Sequence, residues 1–203
     1  MARPPRGMRP LDEGRTLLAA GMVDEARAES RRVIAALKPF ASPVVGIEPS
    51  SLTTLRDEFL ALLPGEESRA LAARALLLSE LLERDKPALA FKPLEATVHI
   101  HGHCHQKAFG AFPAAVALLK RIPGLTVKPI TSSCCGMAGA FGYQAESLEA
   151  SKAMAELSLL PAVRAAGAED FIIADGTSCR HQIGDLGARE AIHSVRLLDR
   201  ALA

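Results

Sequence analysis

Tryptophan is absent from this sequence, and aromatic residues make up only 4% of its 203 positions. Such a composition provides no aromatic surface on which nucleic-acid bases could stack. An excess of one charge is also lacking, since 24 basic and 23 acidic side chains give a formal net charge of +1. Because nucleic-acid binding needs clustered basic side chains, the composition predicts no nucleic-acid partner.

Long hydrophobic runs are missing as well. No apolar stretch approaches the roughly 20 residues that a membrane-spanning helix needs. The segment from Met1 to Leu11 is rich in Arg and Pro and lacks the apolar core of a secretory signal, so we expect a cytoplasmic protein. Thiols stay reduced in that compartment, and the four cysteines are therefore interpreted as ligands or reactive groups rather than as disulfides.

Apolar periodicity in the first part of the chain predicts two helices and one strand. The helices are expected over Val23–Phe40 and Glu66–Arg84, and the strand over Pro43–Ile47. Between them, Glu48–Ser51 is predicted to form a turn because its proline ends the strand.

After residue 90 the pattern becomes an alternation of strands and helices. The predicted strands are Thr97–His101, Leu125–Ile130 and Phe171–Ala174, and the predicted helices are Gln106–Arg121, with a late start or a kink, and Gln144–Ala166. A glycine-rich loop over Cys135–Gly142 and a short helix near Cys179 complete the series. Alternation of this kind is typical of an α/β protein with parallel sheets.

The two parts of the chain share an order of elements. Asp12-Glu13-Gly14 precedes a helix, a strand and Ser50-Ser51, and Cys134-Cys135-Gly136 precedes a helix, a strand and Ser178-Cys179. We interpret this as two pseudo-repeated βαβ, Rossmann-like halves. The first would occupy residues 1–90, truncated and without cysteine ligands, and the second would occupy residues 91–203 with all four cysteines.

Each cysteine of the second half follows a predicted parallel strand. Cys104 comes after the first strand, the pair Cys134 and Cys135 after the second, and Cys179 after the third. Because the carboxyl ends of parallel strands lie at one edge of a sheet, these sulfurs are expected to meet in one place.

The adjacent pair Cys134 and Cys135 favours one kind of metal centre over another. Structural zinc usually takes cysteines spaced as Cys-x-x-Cys around one tetrahedral ion, whereas neighbouring thiolates can reach different metal atoms of a cluster. Gly136 and Gly139 would let backbone N–H groups approach the sulfurs and tune a reduction potential. A zinc site and reduced, metal-free structural thiols stay open as alternatives, and the adjacent pair could also oxidise to a vicinal disulfide.

Three motifs carry a resemblance to a known family. They are His103 to Gln106, Ser133 to Tyr143 and Ala174 to Gln182. These motifs resemble the cysteine-rich CCG domain found in the C-terminal iron–sulfur region of FAD-linked oxidases of D-lactate and related 2-hydroxy acids. Similar domains occur in the glycolate oxidase iron–sulfur subunit and in one of the subunits of heterodisulfide reductase.

The resemblance implies an electron-transfer domain of a FAD-linked 2-hydroxy-acid dehydrogenase system, an oxidoreductase component rather than a complete enzyme. Its iron–sulfur cluster, of the 4Fe–4S type and absent from an aerobic preparation, would be held by Cys104, Cys134, Cys135 and Cys179. FAD would be bound by a partner subunit or by a region outside this sequence. The alternatives are a thiol–disulfide redox module of the heterodisulfide-reductase type and a metal-free or zinc-binding domain that docks a flavoprotein.

The first half departs from the family pattern. Asp12-Glu13-Gly14 stands where family members often have Cys-Cys-Gly, and Ser51 stands where they have a cysteine. The resemblance therefore predicts no cluster in that half.

Polar residues beside the cysteines are expected to surround the cluster. His103 and His105 could donate hydrogen bonds to sulfur, and Arg180 and His181 could compensate the negative charge of a cluster or simply begin a solvated helix. His99 and His101 share the parity of His103 and His105, so a continuous strand would place all four on one face. The alternative is that Gly102 ends the strand.

Overall fold

The structure is a computed structural model, and it describes residues 10–203. The described chain divides into two compact units, one of residues 10–46 with 50–76 and the other of residues 47–49 with 77–203. Residues 1–9 of the Arg- and Pro-rich segment lie outside the described part. Within residues 10–203, no helix is both long and apolar enough to cross a membrane.

The first unit is mainly helical, with a small two-stranded parallel sheet. Its elements are α1 (Arg15–Ala19), α2 (Val23–Leu37), β1 (Val44–Gly46), α3 (Pro49–Arg56), α4 (Glu58–Leu62), α5 (Glu66–Arg74) and β2 (Ala75–Leu77). The amphipathic α2 packs its apolar face on α4 and α5. Phe59 of α4 is fully buried in this core.

Two sequence predictions for this region were wrong. Glu48–Ser51 is not a simple turn, because α3 begins at Pro49, where a proline costs a helix no hydrogen bond. The continuous helix over Glu66–Arg84 is interrupted by β2, because pairing with β1 overrides the helix propensity of Ala75, Leu76 and Leu77.

The second unit is a parallel sheet covered by helices. Its elements are α6 (Leu78–Asp85), β3 (Ala96–His101), α7 (Cys104–Ala108), α8 (Phe112–Leu119), β4 (Leu125–Pro129), a 3-10 turn (Phe141–Tyr143), α9 (Leu148–Glu156), α10 (Leu159–Ala165), β5 (Phe171–Ala174), α11 (Thr177–Gly187), β6 (Ala191–Ile192) and α12 (Ser194–Ala201). The strand order is β4-β3-β5-β6, and all three pairings are parallel. This confirms the predicted α/β class with parallel sheets.

Side chains alternate across this sheet. Val98 and Ile100 of β3 and Ile173 of β5 join a core that includes residues of α8 and α12. Ile172 and Ala174 of β5 join a second core with α10 and α11 on the opposite face. Because successive strand residues point to opposite faces, His99 and His101 of β3 lie on the side of the second core.

Two long helices predicted for the second half are each divided in the structure. The one over Gln106–Arg121 becomes α7 and α8, separated where Gly110 adopts a φ of 67°. The one over Gln144–Ala166 begins only at Leu148 and is broken after Glu156 into α9 and α10. Each division interrupts a helix at a point that the apolar period alone does not reveal.

Candidate metal centre

The four cysteines lie at the carboxyl edge of three neighbouring strands. Cys104 follows β3, Cys134 and Cys135 follow β4, and Cys179 follows β5 in the first turn of α11. The order β4-β3-β5 makes these strand ends neighbours, and the thiols form one continuous chain of hydrogen bonds from Cys104 through Cys134 and Cys135 to Cys179. The structure thus brings together sulfurs that are up to 75 positions apart in sequence (179 − 104).

Cys134 accepts hydrogen bonds from both of its neighbours in this chain of thiols. Hydrogen bonds from the thiols of Cys104 and Cys135 lower its pKa to about 2, and the backbone N–H of Gly136 contributes as well. The pKa of Cys104 is raised because its thiol donates to Cys134 and because it is partly buried. The outer pair therefore consists of one thiolate and one thiol, both half-buried.

The inner pair repeats this arrangement in a more buried position. The thiol of Cys135 lies within hydrogen-bonding reach of both Cys134 and Cys179, between which its one proton is shared, and these contacts together with burial raise its pKa. The hydrogen bond from Cys135 lowers the pKa of Cys179 to about 5 despite burial, and the nearby His101 and His103 lower it further. Charged and neutral sulfurs thus alternate, so no two thiolates are adjacent along the chain of hydrogen bonds.

The loop after β4 aims backbone N–H groups at the sulfurs, as its glycines predict. The N–H of Gly136 lies 3.3 Å from the Sγ of Cys134, and the N–H of Met137 bonds to Cys135. Gly136 has a φ of 93°, and a Cβ there would lie 2.3 Å from the carbonyl oxygen of Ser151. Gly139 also has a positive φ, of 71°, but its surroundings within residues 10–203 are open.

Lys107 holds the segment of the loop that directly precedes the cysteine pair. Its Nζ lies 2.7 Å from the carbonyl oxygen of Ser132 and 2.5 Å from that of Ser133. This residue was not among those predicted from the sequence. Its position three residues after Cys104, in the last turn of the short helix α7, is the only sequence signal that could have indicated it.

The polar residues that were expected to surround the site differ from one another in burial and in the groups that they contact. His103 is buried, its Nδ1 accepts from the N–H of His105, and the two rings contact edge to face. Arg180 donates to the carbonyl oxygens of Ala174 and Asp175, at 2.9 and 2.6 Å, and so binds the end of β5. His181 is exposed on α11.

His101, which was not among the predicted site residues, lies close to the sulfurs. One of its ring nitrogens and the Sγ atoms of Cys135 and Cys179 all lie within 4.8 Å of one another, and all three residues are buried. The strand ends at His101, so His103 and His105 do not continue its face. The alternation of the apolar Ile100 with His101 along the strand was the sequence signal that could have placed His101 here.

Hydrogen bonds at two places hold α11, the helix that carries Cys179. Oε2 of Glu48 accepts from the N–H and the Oγ1 of Thr177, at 2.9 and 2.8 Å, and so caps the first turn of α11. Nε2 of Gln182 donates to Oγ of Ser151 on α9 at 2.9 Å. Asp175 instead accepts from the N–H of Ser194 at the start of α12.

The repeat predicts that certain residues of the first unit are equivalent to the cysteines of the second. These residues also contact each other, but they do so through oxygen atoms rather than sulfur atoms. Oγ of Ser51 donates to Oε1 of Glu13 at 2.8 Å, as Cys135 and Cys179 meet in the second unit. Gly14 has a φ of 79°, and its N–H bonds to Oδ1 of Asp12, two residues earlier, at 2.7 Å. The two units therefore share this local geometry. In the first unit, the soft sulfur donors are replaced by two polar side chains that hydrogen-bond to each other.

The chain is similar to parts of two kinds of dehydrogenase. It is 29% identical to a subunit of the anaerobic glycerol-3-phosphate dehydrogenase of Escherichia coli K12 over 197 positions, which cover 94% of this chain and 49% of that subunit. It is 32% identical to the D-2-hydroxyglutarate dehydrogenase of the same strain over 162 positions, which cover 77% of this chain and 15% of that enzyme. The D-2-hydroxyglutarate dehydrogenase of Pseudomonas putida is 25% identical over 181 positions, covering 88% of this chain and 17% of the enzyme.

The chain therefore spans about half the length of the first of these relatives and a smaller part of the others. No family model matches the chain. No solved structure gives a significant match. The chain thus resembles parts of two dehydrogenases and contains a buried group of one histidine and two cysteines that could hold a metal ion.

Proposed function

We propose that this chain is an electron-transfer domain whose iron–sulfur cluster, of the 4Fe–4S type, is bound by Cys104, Cys134, Cys135 and Cys179. The domain would exchange electrons with a flavin-binding dehydrogenase subunit or domain that acts on a 2-hydroxy acid or a similar secondary alcohol. The observation that carries this proposal is the convergence of sulfurs from three strand ends into one chain of contacts.

The donor set suits a cluster. Four thiolates are soft ligands that favour iron–sulfur chemistry or zinc over hard cations. The adjacent Cys134 and Cys135 can reach different metal atoms, and N–H groups already point at both sulfurs. A bound cluster would supply one-electron transfer, and the residues around it would hold it in place and set its potential.

Burial is graded across the site. Cys135 and Cys179 are 3% and 1% exposed and would exclude water from the inner side of the group. Cys104 and Cys134 are half-buried and would provide the edge through which electrons enter and leave. The domain is assigned to the cytoplasm because four ligand thiols have to stay reduced until they bind metal.

The relatives support the proposed partner. Their names describe dehydrogenases of glycerol-3-phosphate and of D-2-hydroxyglutarate, both of which carry a secondary alcohol that loses two electrons on oxidation. Such electrons need a carrier, and the cysteine site is where this chain could provide one. FAD would belong to the partner or to a region outside this sequence.

Anaerobic reconstitution tests the cluster. Incubation with iron and sulfide, followed by iron and sulfide analysis and EPR of the dithionite-reduced protein, should give a bound cluster in the wild type. Cys135→Ser should abolish it, and Ser178→Ala, next to Cys179, should leave it intact. Binding of zinc without uptake of iron by the wild type would contradict the proposal.

Electron exchange tests the partner. The reconstituted chain should be reduced by a flavin-dependent dehydrogenase in the presence of its 2-hydroxy-acid substrate, as seen by bleaching of the cluster absorbance. A cluster absorbance that does not bleach when both dehydrogenase and substrate are present, or that bleaches equally without the substrate, would contradict this part of the proposal.

A thiol–disulfide redox module is the second candidate. It is favoured by the lowered pKa of the half-buried Cys134, a nucleophilic thiolate in contact with the thiol of Cys104. If this is the function, the metal-free chain should reduce one equivalent of a small disulfide while a Cys104–Cys134 disulfide forms and two small thiols are released. Cys104→Ser should stop the reaction at a mixed disulfide on Cys134. The electron-transfer proposal predicts no such activity in the metal-free chain.

A further inference from the structure

The imidazole of His101 lies at the buried end of the cysteine site. It is the last residue of β3, is 1% exposed, and lies on the sheet face that carries Cys135 and Cys179. The strand holds its backbone through pairing with Ala174 of β5. Its position is therefore set by the sheet rather than by a loop.

The two ring nitrogens of His101 are in different situations. Nδ1 lies 2.7 Å from Oγ of Ser132, a residue of the loop that leads to Cys134. Nε2 is buried and makes no hydrogen bond of normal geometry within residues 10–203, although the imidazole interacts with the sulfur of Cys179. An unsatisfied buried polar atom costs free energy, so such a nitrogen on an imidazole that lies within 4.8 Å of two sulfurs requires an explanation.

A role of His101 as a metal ligand would explain the surroundings of both ring nitrogens. Metal-binding histidines usually donate the N–H of one nitrogen to a neighbouring oxygen, which fixes the tautomer and leaves the lone pair of the other nitrogen for the metal. Ser132 is that oxygen here, and the group within 4.8 Å of the sulfurs is the imidazole that it orients.

We propose that His101 is a fifth ligand of the metal centre, binding through Nε2 beside Cys135 and Cys179; the inference deepens the proposed function and rests on it. Four thiolates and one imidazole exceed the four positions of a single tetrahedral zinc ion. Each iron of a cubane 4Fe–4S cluster takes one terminal ligand, so with four cysteines filling those positions His101 would be a second protein ligand on one of the irons.

A neutral imidazole among the ligands has a consequence for the potential. Replacement of thiolate by histidine reduces the negative charge on a cluster and raises its reduction potential. His101→Cys is therefore expected to retain the cluster and to lower its potential, because an anionic thiolate would take the place of the neutral imidazole. Ser132→Ala should weaken metal binding by about tenfold to a hundredfold through loss of the orienting bond.

Pulsed EPR of the reduced, reconstituted full chain tests the ligand directly. Protein made with ¹⁵N-histidine is compared with unlabelled protein, and the wild type should show a strongly coupled nitrogen that changes with the label. His101→Asn keeps an amide near the position of Nδ1 and removes Nε2, so the coupling should disappear. His181→Ala removes an exposed histidine and should leave the coupling unchanged.

The outcomes separate the two proposals. If the wild type takes up no iron, the proposed function fails and the ligand assignment fails with it. If a cluster forms but its spectrum shows no histidine coupling, only the ligand assignment is overturned. Coupling that persists in folded His101→Asn, or in His101→Gln if the Asn variant does not fold, also overturns it.

Discussion

Hydrogen bonds between thiols determine which of the four cysteines carry charge before a metal binds. Cys134 and Cys179 are the acceptors, and Cys104 and Cys135 are the donors. Because metal ligands have to be deprotonated, binding of a cluster would release the protons that the two donors retain. The site therefore holds part of the negative charge that a cluster needs, without placing thiolates side by side.

The metal-free, reduced chain should contain thiolate at neutral pH. The pKa of Cys179 is about 5, so ultraviolet absorbance of thiolate should be present at pH 7 and should fall as the pH drops through about 5. Cys179→Ser should remove that step. A titration in which all four thiols ionise together near the pKa of free cysteine, about 8.5, would contradict this.

The glycine after the cysteine pair should be irreplaceable for steric reasons. Gly136→Ala combines a left-handed backbone with a Cβ that would lie 2.3 Å from the backbone oxygen of Ser151. We expect it to lower the free energy of unfolding by more than about 2 kcal/mol. Gly139→Ala is the matched control, since its positive φ costs about 1 kcal/mol but its surroundings are open. Urea unfolding of both variants measures the difference, and equal losses would contradict the steric explanation.

At the scale of elements, β3 organises the second unit. It pairs with both β4 and β5, ends in His101, and leads directly to Cys104 at the start of α7. Two residues before His101, Nε2 of His99 lies 2.9 Å from Oδ2 of Asp170, which directly precedes β5. This pair joins the loop before β5 to the strand that positions the site.

The His99–Asp170 pair should make stability depend on pH. The hydrogen bond with His99, and a second one from the N–H of Gly167, lower the pKa of Asp170 below its ordinary value. A carboxyl group whose pKa is lowered by folding stabilises the protein above its unfolded pKa, about 3.9, and that contribution is lost as the pH falls through the folded value.

Asp170→Asn should therefore reduce the free energy of unfolding at pH 7, and the difference from the wild type should shrink as the pH falls below about 4. Urea unfolding at a series of pH values measures this. Glu169→Gln, at an exposed neighbouring position, should follow the wild-type profile. A difference between Asp170→Asn and the wild type that is constant with pH would show that the ionised carboxylate is not responsible.

At the scale of the whole molecule, the two units carry the same local arrangement with different chemistry. In the first, Glu13 and Ser51 satisfy each other through a hydrogen bond. In the second, the sulfurs and Nε2 of His101 offer soft and borderline donors to a metal. Metal should therefore act on the second unit alone.

Loading with iron and sulfide should stabilise the second unit selectively. A ligand that binds only the folded state raises its stability, by about 2.7 kcal/mol at a free concentration of 100 times the Kd. Hydrogen exchange should slow at Gly136, Met137 and the first turn of α11, while α2 of the first unit serves as the internal control. Equal slowing of exchange in α2 would contradict a site confined to the second unit.

The sequence by itself determined the fold class, the strands that carry the site and the cysteines. Alternating apolar segments placed β3, β4 and β5, and β5 was predicted with the bounds observed. The convergence of sulfurs followed from the geometry of parallel sheets, in which strand ends share one edge. These features are local in sequence or general to the fold, so pattern and spacing were sufficient.

Only the tertiary structure decided how the long helices divide and which polar groups reach the sulfurs. Pairing with β1 turned Ala75–Leu77 into a strand, and no local preference encodes that contact. Arg180 was drawn to backbone carbonyls, and His101 was directed at the sulfurs by the pleat of β3 and by Ser132, 31 positions later. A hydrogen bond depends on where two distant atoms meet, and that distance exists only after the chain has folded.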